Sequence, residues 1–168
     1  MANTYQLIEA QTLTTTTASV TFSSIPQTFT DLIIKISARD SGDNQASIKF
    51  NSSTTGYSNI RLQGTGVLAQ STTDSSTAKG IMGYSVNQTT SRTANVFGNA
   101  EVYIPNYAGS TNKSFSSDGV EENNAIAAFS KLFTGLLANT AAITSITLSA
   151  DGTFATDSTF YLYGIKNS

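Results

Sequence analysis

The stretch that decides the fold is Ala94-Asn95-Val96-Phe97-Gly98-Asn99-Ala100-Glu101-Val102-Tyr103-Ile104. Val96, Gly98, Ala100, Val102 and Ile104 fall on one side of an extended chain. Phe97, Asn99, Glu101 and Tyr103 fall on the other. Successive side chains of a strand point to opposite faces, so this alternation reads as a strand with one oily face and one polar face. Pro105-Asn106-Tyr107-Ala108-Gly109 ends it, because Pro lacks the N–H that a ladder needs and Asn and Gly serve turns.

The same pattern recurs in both directions from this stretch. Tyr5, Leu7 and Glu9 interleave with Gln6, Ile8 and Ala10. Val20 and Phe22 alternate with Thr21 and Ser23 up to Ile25-Pro26. Leu32, Ile34 and Ile36 share a face, and Ile33, Lys35 and Ser37 share the opposite one. Ile48 and Phe50 mark a short strand closed by Asn51-Ser52-Ser53. Residues 57–63 form another between Gly56 and Gly64, and 81–86 a further one. Residues 113–119 pair back on 94–104. Residues 143–149 and 159–165 close the chain, joined across Asp151-Gly152. In the last strand Phe160, Leu162 and Gly164 alternate with Tyr161, Tyr163 and Ile165, and both chain ends are expected to be strands in the sheet or to be held in an interface.

Two periods compete in 125–138. Ile126, Phe129, Leu132, Phe133, Leu136 and Leu137 sit at helical spacing, whereas Phe129, Lys131, Phe133, Gly135 and Leu137 alternate. A glycine inside a helix costs about 1 kcal/mol relative to Ala, and every neighbouring segment reads as strand. The strand is therefore favoured, with the helix as the alternative. Of two Ser/Thr-rich stretches, 12–19 reads as a turn between strands and 70–79 as a long surface loop between two halves of the sheet. Gly64-Thr65-Gly66 lacks the third glycine and following helix of a phosphate loop, and is a turn.

The pattern predicts an all-β chain of about nine to ten strands, an antiparallel β-sandwich, jelly-roll-like, in a single domain over 1–168. No alternation of strands with helices occurs, which argues against a parallel α/β fold.

Composition narrows the chemistry. The 168 residues include no His, no Cys and no Trp. Without His and Cys there is no Ser–His–Asp triad, no Cys–His pair and no ordinary zinc site. Nine Lys and Arg are scattered singly and the net charge is -2, so no basic stripe exists for nucleic acid. No apolar run approaches the ~20 residues that span a membrane, and no signal peptide is visible. A soluble product of the cytoplasm, with no cofactor and no metal, is expected.

Carboxylates are the remaining candidates for catalysis. Asp40 and Asp43 flank Ser41-Gly42, and Asp118, Glu121 and Glu122 cluster later. Glycosidases place two carboxylates about 5–10 Å apart across a sugar, but Asp-Ser-Gly-Asp-Asn is also ordinary turn chemistry, and the Glu pair suits a solvated strand end. Asp40, Asp43 and Asn44, joined by Asp151 or Asp157, could ligate calcium, although no known calcium-loop spacing is present. The plain loop is the favoured reading. Exposed tyrosines stack on sugars and anchor interfaces, and Tyr57, Tyr84 and Tyr107 lie near turns. They are the candidate glycan or partner contacts. Lys113 and Arg92 stand alone and mark no patch.

The chain resembles a group of small virion proteins of tailed phages, frequent among aquatic and cyanobacterial phages. Thr4-Tyr5-Gln6-Leu7-Ile8-Glu9 is similar to theirs, as is Ala18-Ser19-Val20-Thr21-Phe22-Ser23-Ser24-Ile25-Pro26 followed by Phe29-Thr30-Asp31-Leu32. So are Ile104-Pro105-Asn106-Tyr107-Ala108-Gly109-Ser110, Lys113-Ser114-Phe115-Ser116, Ile143-Thr144-Ser145-Ile146-Thr147-Leu148 and Phe160-Tyr161-Leu162-Tyr163-Gly164-Ile165. The similarity runs from Met1 to Lys166 and carries no catalytic residue. It implies a jelly-roll-like sandwich on the virion surface, often a homotrimer. The expected function is that of a capsid decoration or cement protein bound to the major capsid protein. The alternative is a tail appendage or receptor-binding protein that holds a host surface glycan. A carbohydrate-active enzyme using Asp40, Asp43 or Glu121 is the third and least favoured reading.

Overall fold

A computed structural model describes residues 4–42, 45–74, 78–83, 87–88, 94–121 and 129–166. Its strands in chain order are β1 (Tyr5–Thr12), β2 (Thr17–Phe22), β3 (Asp31–Asp40), β4 (Ala46–Phe50), β5 (Tyr57–Gly64), β6 (Ala69–Asp74) and β7 (Gly80–Gly83). They continue with β8 (Asn87–Gln88), β9 (Gly98–Ile104), β10 (Lys113–Glu121), β11 (Phe129–Leu137), β12 (Ile146–Phe154) and β13 (Thr159–Ile165). No helix occurs among the described residues. All strands pair antiparallel except the two-residue β8, which runs parallel to the end of β3.

The large sheet has the order β1-β13-β3-β9-β10-β11-β5-β6. The small sheet has the order β2-β12-β4-β7. They face each other across one core and join at a corner, where Asp40 of β3 pairs with Phe154 of β12. The architecture is the expected all-β sandwich, curled by that corner.

Register explains the core. Phe22, Ile146 and Phe50 lie in one row across the small sheet, and Val20, Leu148 and Ile48 in the next. Opposite them, Val102, Ile34 and Leu162 form a row across the large sheet, as do Ala100, Ile36 and Phe160. All are buried. Removing this much apolar surface from water is the main drive to fold. Phe50 meets Phe115 edge-on at 5.6 Å, and Phe154 meets Phe160 at 5.0 Å, the offset geometry that ring quadrupoles favour.

Several expectations change. β11 is a strand, so the helical reading of 125–138 falls for its described part; residues 125–128 lie outside the described residues. Lys131, Phe133, Gly135 and Leu137 point inward and are buried, while Ser130, Leu132, Thr134 and Leu136 point outward. The described residues hold thirteen strands where nine to ten were expected, and the two that the alternation does not announce are β6 and β8. Residues 70–74 of the supposed loop are strand β6, paired along β5; hydroxyl side chains, with β-branched Thr72 and Thr73 among them, fit a pleated edge without any oily face.

Asp151-Gly152 is not the turn between the last two strands. It lies within β12, where the register on β2 breaks between Ser149 and Phe154. The turn follows at 155–158, with Asp157 at positive φ of 66°. The strand at 94–104 begins later than its pattern suggests, at Gly98. The described chain ends meet: β1 pairs along β13, and Lys166 N–H donates to the Thr4 carbonyl at 3.1 Å.

Candidate functional site

Among the described residues the candidate carboxylates do not converge. Asp40 is fully buried, and its oxygens accept the backbone N–H groups of Gly42 at 2.9 Å, Asp151 at 2.9 Å and Gly152 at 3.1 Å. This carboxylate satisfies amides that the irregularity in β12 removes from the ladder. It is neither exposed to a sugar nor aimed outward as a calcium ligand. Asp43 and Asn44 lie outside the described residues, as does Glu122. Asp118 and Glu121 sit on β10 with opposite parity, so Asp118 is exposed on the outer face and Glu121 is buried on the inner one. The expected solvated strand end at Glu121 is therefore corrected to a buried position. No group of three His, Cys, Asp or Glu that could hold a metal occurs among the described residues.

Two of the three candidate tyrosines are interior. Tyr57 is buried, and its hydroxyl accepts the Phe50 N–H at 2.8 Å. Burial pushes its phenol above the ordinary range. Tyr107 is fully buried and its hydroxyl donates to the Pro26 carbonyl. Both lie at turns, but each phenol is needed inside to satisfy backbone groups where strands end. Tyr84 lies outside the described residues.

The turn after β9 is locked by polar contacts that charge counting could not reveal. Asp31 accepts the Tyr103 hydroxyl at 2.9 Å and the Asn106 N–H at 2.8 Å. Lys113, seemingly a lone surface cation, is buried and donates to the carbonyls of Gly109 at 2.6 Å, Thr140 at 3.3 Å and Thr111. Burial lowers its pKa.

What the sheet does present is a broad outer face. One row crosses all eight strands of the large sheet: Thr73, Ile60, Thr134, Ser116, Tyr103, Ile33, Tyr163 and Leu7. The next row holds Ser71, Leu62, Leu132, Asp118, Glu101, Lys35, Tyr161 and Ala10. At the β5-β11-β10 end the face is aliphatic. Leu62 and Leu132 are directly opposed and are 53% and 52% exposed, with Ile60, Leu136 and Val120 exposed nearby. Two shallow grooves of about 370 and 340 Å³ run here, one lined by Leu62 and Leu132, the other by Ile60 and Leu136.

At the β3-β13-β1 end the face is aromatic. Tyr103, Tyr161 and Tyr163 are half-buried, and Tyr5 and Leu7 are exposed. Burial and the bond to Asp31 raise the Tyr103 phenol. Between the two ends stands the ion pair of Lys35 with Glu101, whose hydrogen bond raises the Lys35 pKa. A solvent-exposed pair of this kind adds little stability, but it cancels charge in the middle of the face. The signal for this face lay in strand parity: once β11 and β13 are strands, Leu132, Leu136, Tyr161 and Tyr163 must oppose the core.

No protein-family model, no curated protein and no solved structure matches the chain.

Proposed function

We propose that the chain is a structural protein of a tailed-phage virion, a decoration or cement protein that lies on the outer shell and holds neighbouring capsid subunits together. The observation that carries the reading is the aliphatic half of the outer face, where Leu62 and Leu132 stand exposed and in register on adjacent strands. Clustered exposed apolar residues on a sheet mark a contact surface for another protein. The resemblance supplies the rest: virion proteins of this kind, often homotrimers, placed at a symmetry axis of the shell. The role is binding rather than catalysis. Many modest contacts, repeated over a shell, hold far more tightly than any one of them.

The test is a density map of the intact particle together with a binding assay on stripped shells. The chain should lie on the shell with the outer face of β5, β11 and β10 against its neighbours. A Leu62→Asp, Leu132→Lys variant, whose new charges oppose each other across the strands, should fold and fail to bind. Density at the tail, or full shell binding by the variant, sinks the reading.

The aromatic half favours a second reading, a tail appendage or receptor-binding protein. Tyr5, Tyr103, Tyr161 and Tyr163 share one face, and tyrosine rings on a rigid sheet suit sugar stacking. Binding to host glycans that is lost in Tyr161→Ala, Tyr163→Ala supports it; no binding to host polysaccharide rejects it.

A further inference from the structure

β6 closes one edge of the large sheet and pairs with β5 alone among the described residues. Its residues match those of β5 from Gly64 back to Asn59 with no bulge. Ala69, Gln70, Ser71, Thr72 and Thr73 are all exposed. Alternate residues of a strand point to opposite faces, so exposure of every one means that β6 overhangs the sandwich on both sides. The hairpin tip beside it carries Val67, 92% exposed, and Leu68. Proteins blunt such edges with lysine, proline, a bulge or a covering element. The strand Ala-Gln-Ser-Thr-Thr-Asp has no lysine, no proline and no bulge.

We propose that β6 pairs antiparallel with β6 of a second copy of this chain, about a two-fold axis near Ser71 and Thr72. The two large sheets then become one continuous sheet. Charge and chemistry select a copy of the same chain as the occupant. Asp74 is the one charged residue of β6, and antiparallel pairing sends the two copies of it to opposite ends of the seam. Like charges never face each other there. The residues near the axis carry hydroxyls and an amide, groups that both donate and accept and are therefore complementary to themselves. Cross-strand Thr and Ser pairs are favourable.

The seam is one strand wide, well below the ~800 Å² per partner of a standard stable interface. The dimer is therefore weak in solution and becomes effective where copies are already held side by side. The pairing goes beyond the proposed shell role and does not depend on it. On a shell it links neighbouring copies, and in solution it stands alone.

The chain contains no cysteine, so a single introduced thiol reports its own position. Antiparallel partners lie about 4.5–5.5 Å apart between Cα atoms, inside the range a disulfide spans. A two-fold pair opposes only the residue on its axis to its own copy, so under mild oxidation one of Ser71→Cys and Thr72→Cys should give disulfide-linked dimers about tenfold faster than Thr16→Cys, an exposed position outside the seam. Sedimentation of the wild type should show concentration-dependent dimers that the Ser71→Lys, Thr72→Lys variant loses while its circular dichroism and Tm are unchanged. Equal cross-linking at positions 16, 71 and 72 overturns the proposal. So does a self-association that survives the lysine variant, which would place it on another surface.

Discussion

The hydroxyl of Tyr107 donates to the backbone carbonyl of Pro26, and this contact ties the turn after β9 to the loop after β2. Ile143 N–H in turn donates to the Tyr107 carbonyl at 2.9 Å, so one residue holds three connections at one end of the sandwich. Tyr107→Phe leaves the Pro26 carbonyl without its phenol donor. The expected loss is about 1–3 kcal/mol, read as a fall of several degrees in Tm by calorimetry. An unchanged Tm removes the lock.

Alkaline pH should loosen the same region. Burial raises the phenols of Tyr57 and Tyr107 above their ordinary value of 10.0. Below pH 10.0 folded and unfolded chains both keep these protons. Above it the unfolded chain releases them first, so stability is lost as pH rises through the folded pKa values. Lys113 acts with the opposite sign. Its folded pKa lies below 10.5, so its penalty is present below the folded pKa and is relieved as pH approaches 10.5. Urea midpoints should hold or rise slightly up to about pH 10 and then fall. Tyr57→Phe should flatten the fall, and a fall of the same steepness in that variant refutes the account.

Gly135 gives a packing prediction. A Cβ there would overlap the ring of Phe115, which is itself packed edge-on against Phe50. Gly135→Ala should cost about 1–3 kcal/mol through overpacking. Phe115→Leu should recover part of that cost in the double variant, which a double-mutant cycle measures. Additive losses would show that the two sites are not coupled.

Asp40→Ala should be the most damaging single change among the carboxylates. It strands three part-buried backbone donors, those of Gly42, Asp151 and Gly152, and each costs up to about 1–3 kcal/mol to the extent that water does not replace the carboxylate. Asp40→Asn keeps acceptor capacity and should lose less in urea denaturation. Equal losses for the two variants would mean that packing, and not acceptance, is what the site needs.

On the outer face, Leu62→Asp with Leu132→Lys should leave Tm within a degree or two, because the new charges oppose each other and surface changes away from special features are usually within about 0.5 kcal/mol. A large drop in Tm would show that these leucines serve the fold instead of a partner.

Much of this fold is legible in strand parity. Leu32, Ile34 and Ile36, Val102 and Ile104, and Phe160 and Leu162 are inward where the alternation puts them. Parity also settles 129–137 once Gly135 and Lys131 are seen to share the inner face with Phe133. β6 was illegible because hydroxyl residues exposed on both sides carry no alternation. The site was harder. Proximity to a turn was a poor guide for Tyr57 and Tyr107, since the turns of a sandwich bury phenols that satisfy backbone groups. Tyr103, Tyr161 and Tyr163 are written in the sequence as the polar half of clean strands, and only the pairing of β9, β3 and β13 shows that they stand together.

The pairing of β1 with β13 sets an order of events during synthesis. β1 leaves the ribosome first and its partner last. β3, in the middle of the large sheet, likewise waits for both β9 and β13. Until the final strand emerges the nascent chain carries unpaired edges and a half-covered core, a state prone to capture by other chains. Closure is a late, long-range step of the kind that makes β-rich chains slow to fold. Refolding yield should therefore drop steeply when the last seven-residue strand is removed, far more than its share of the core suggests.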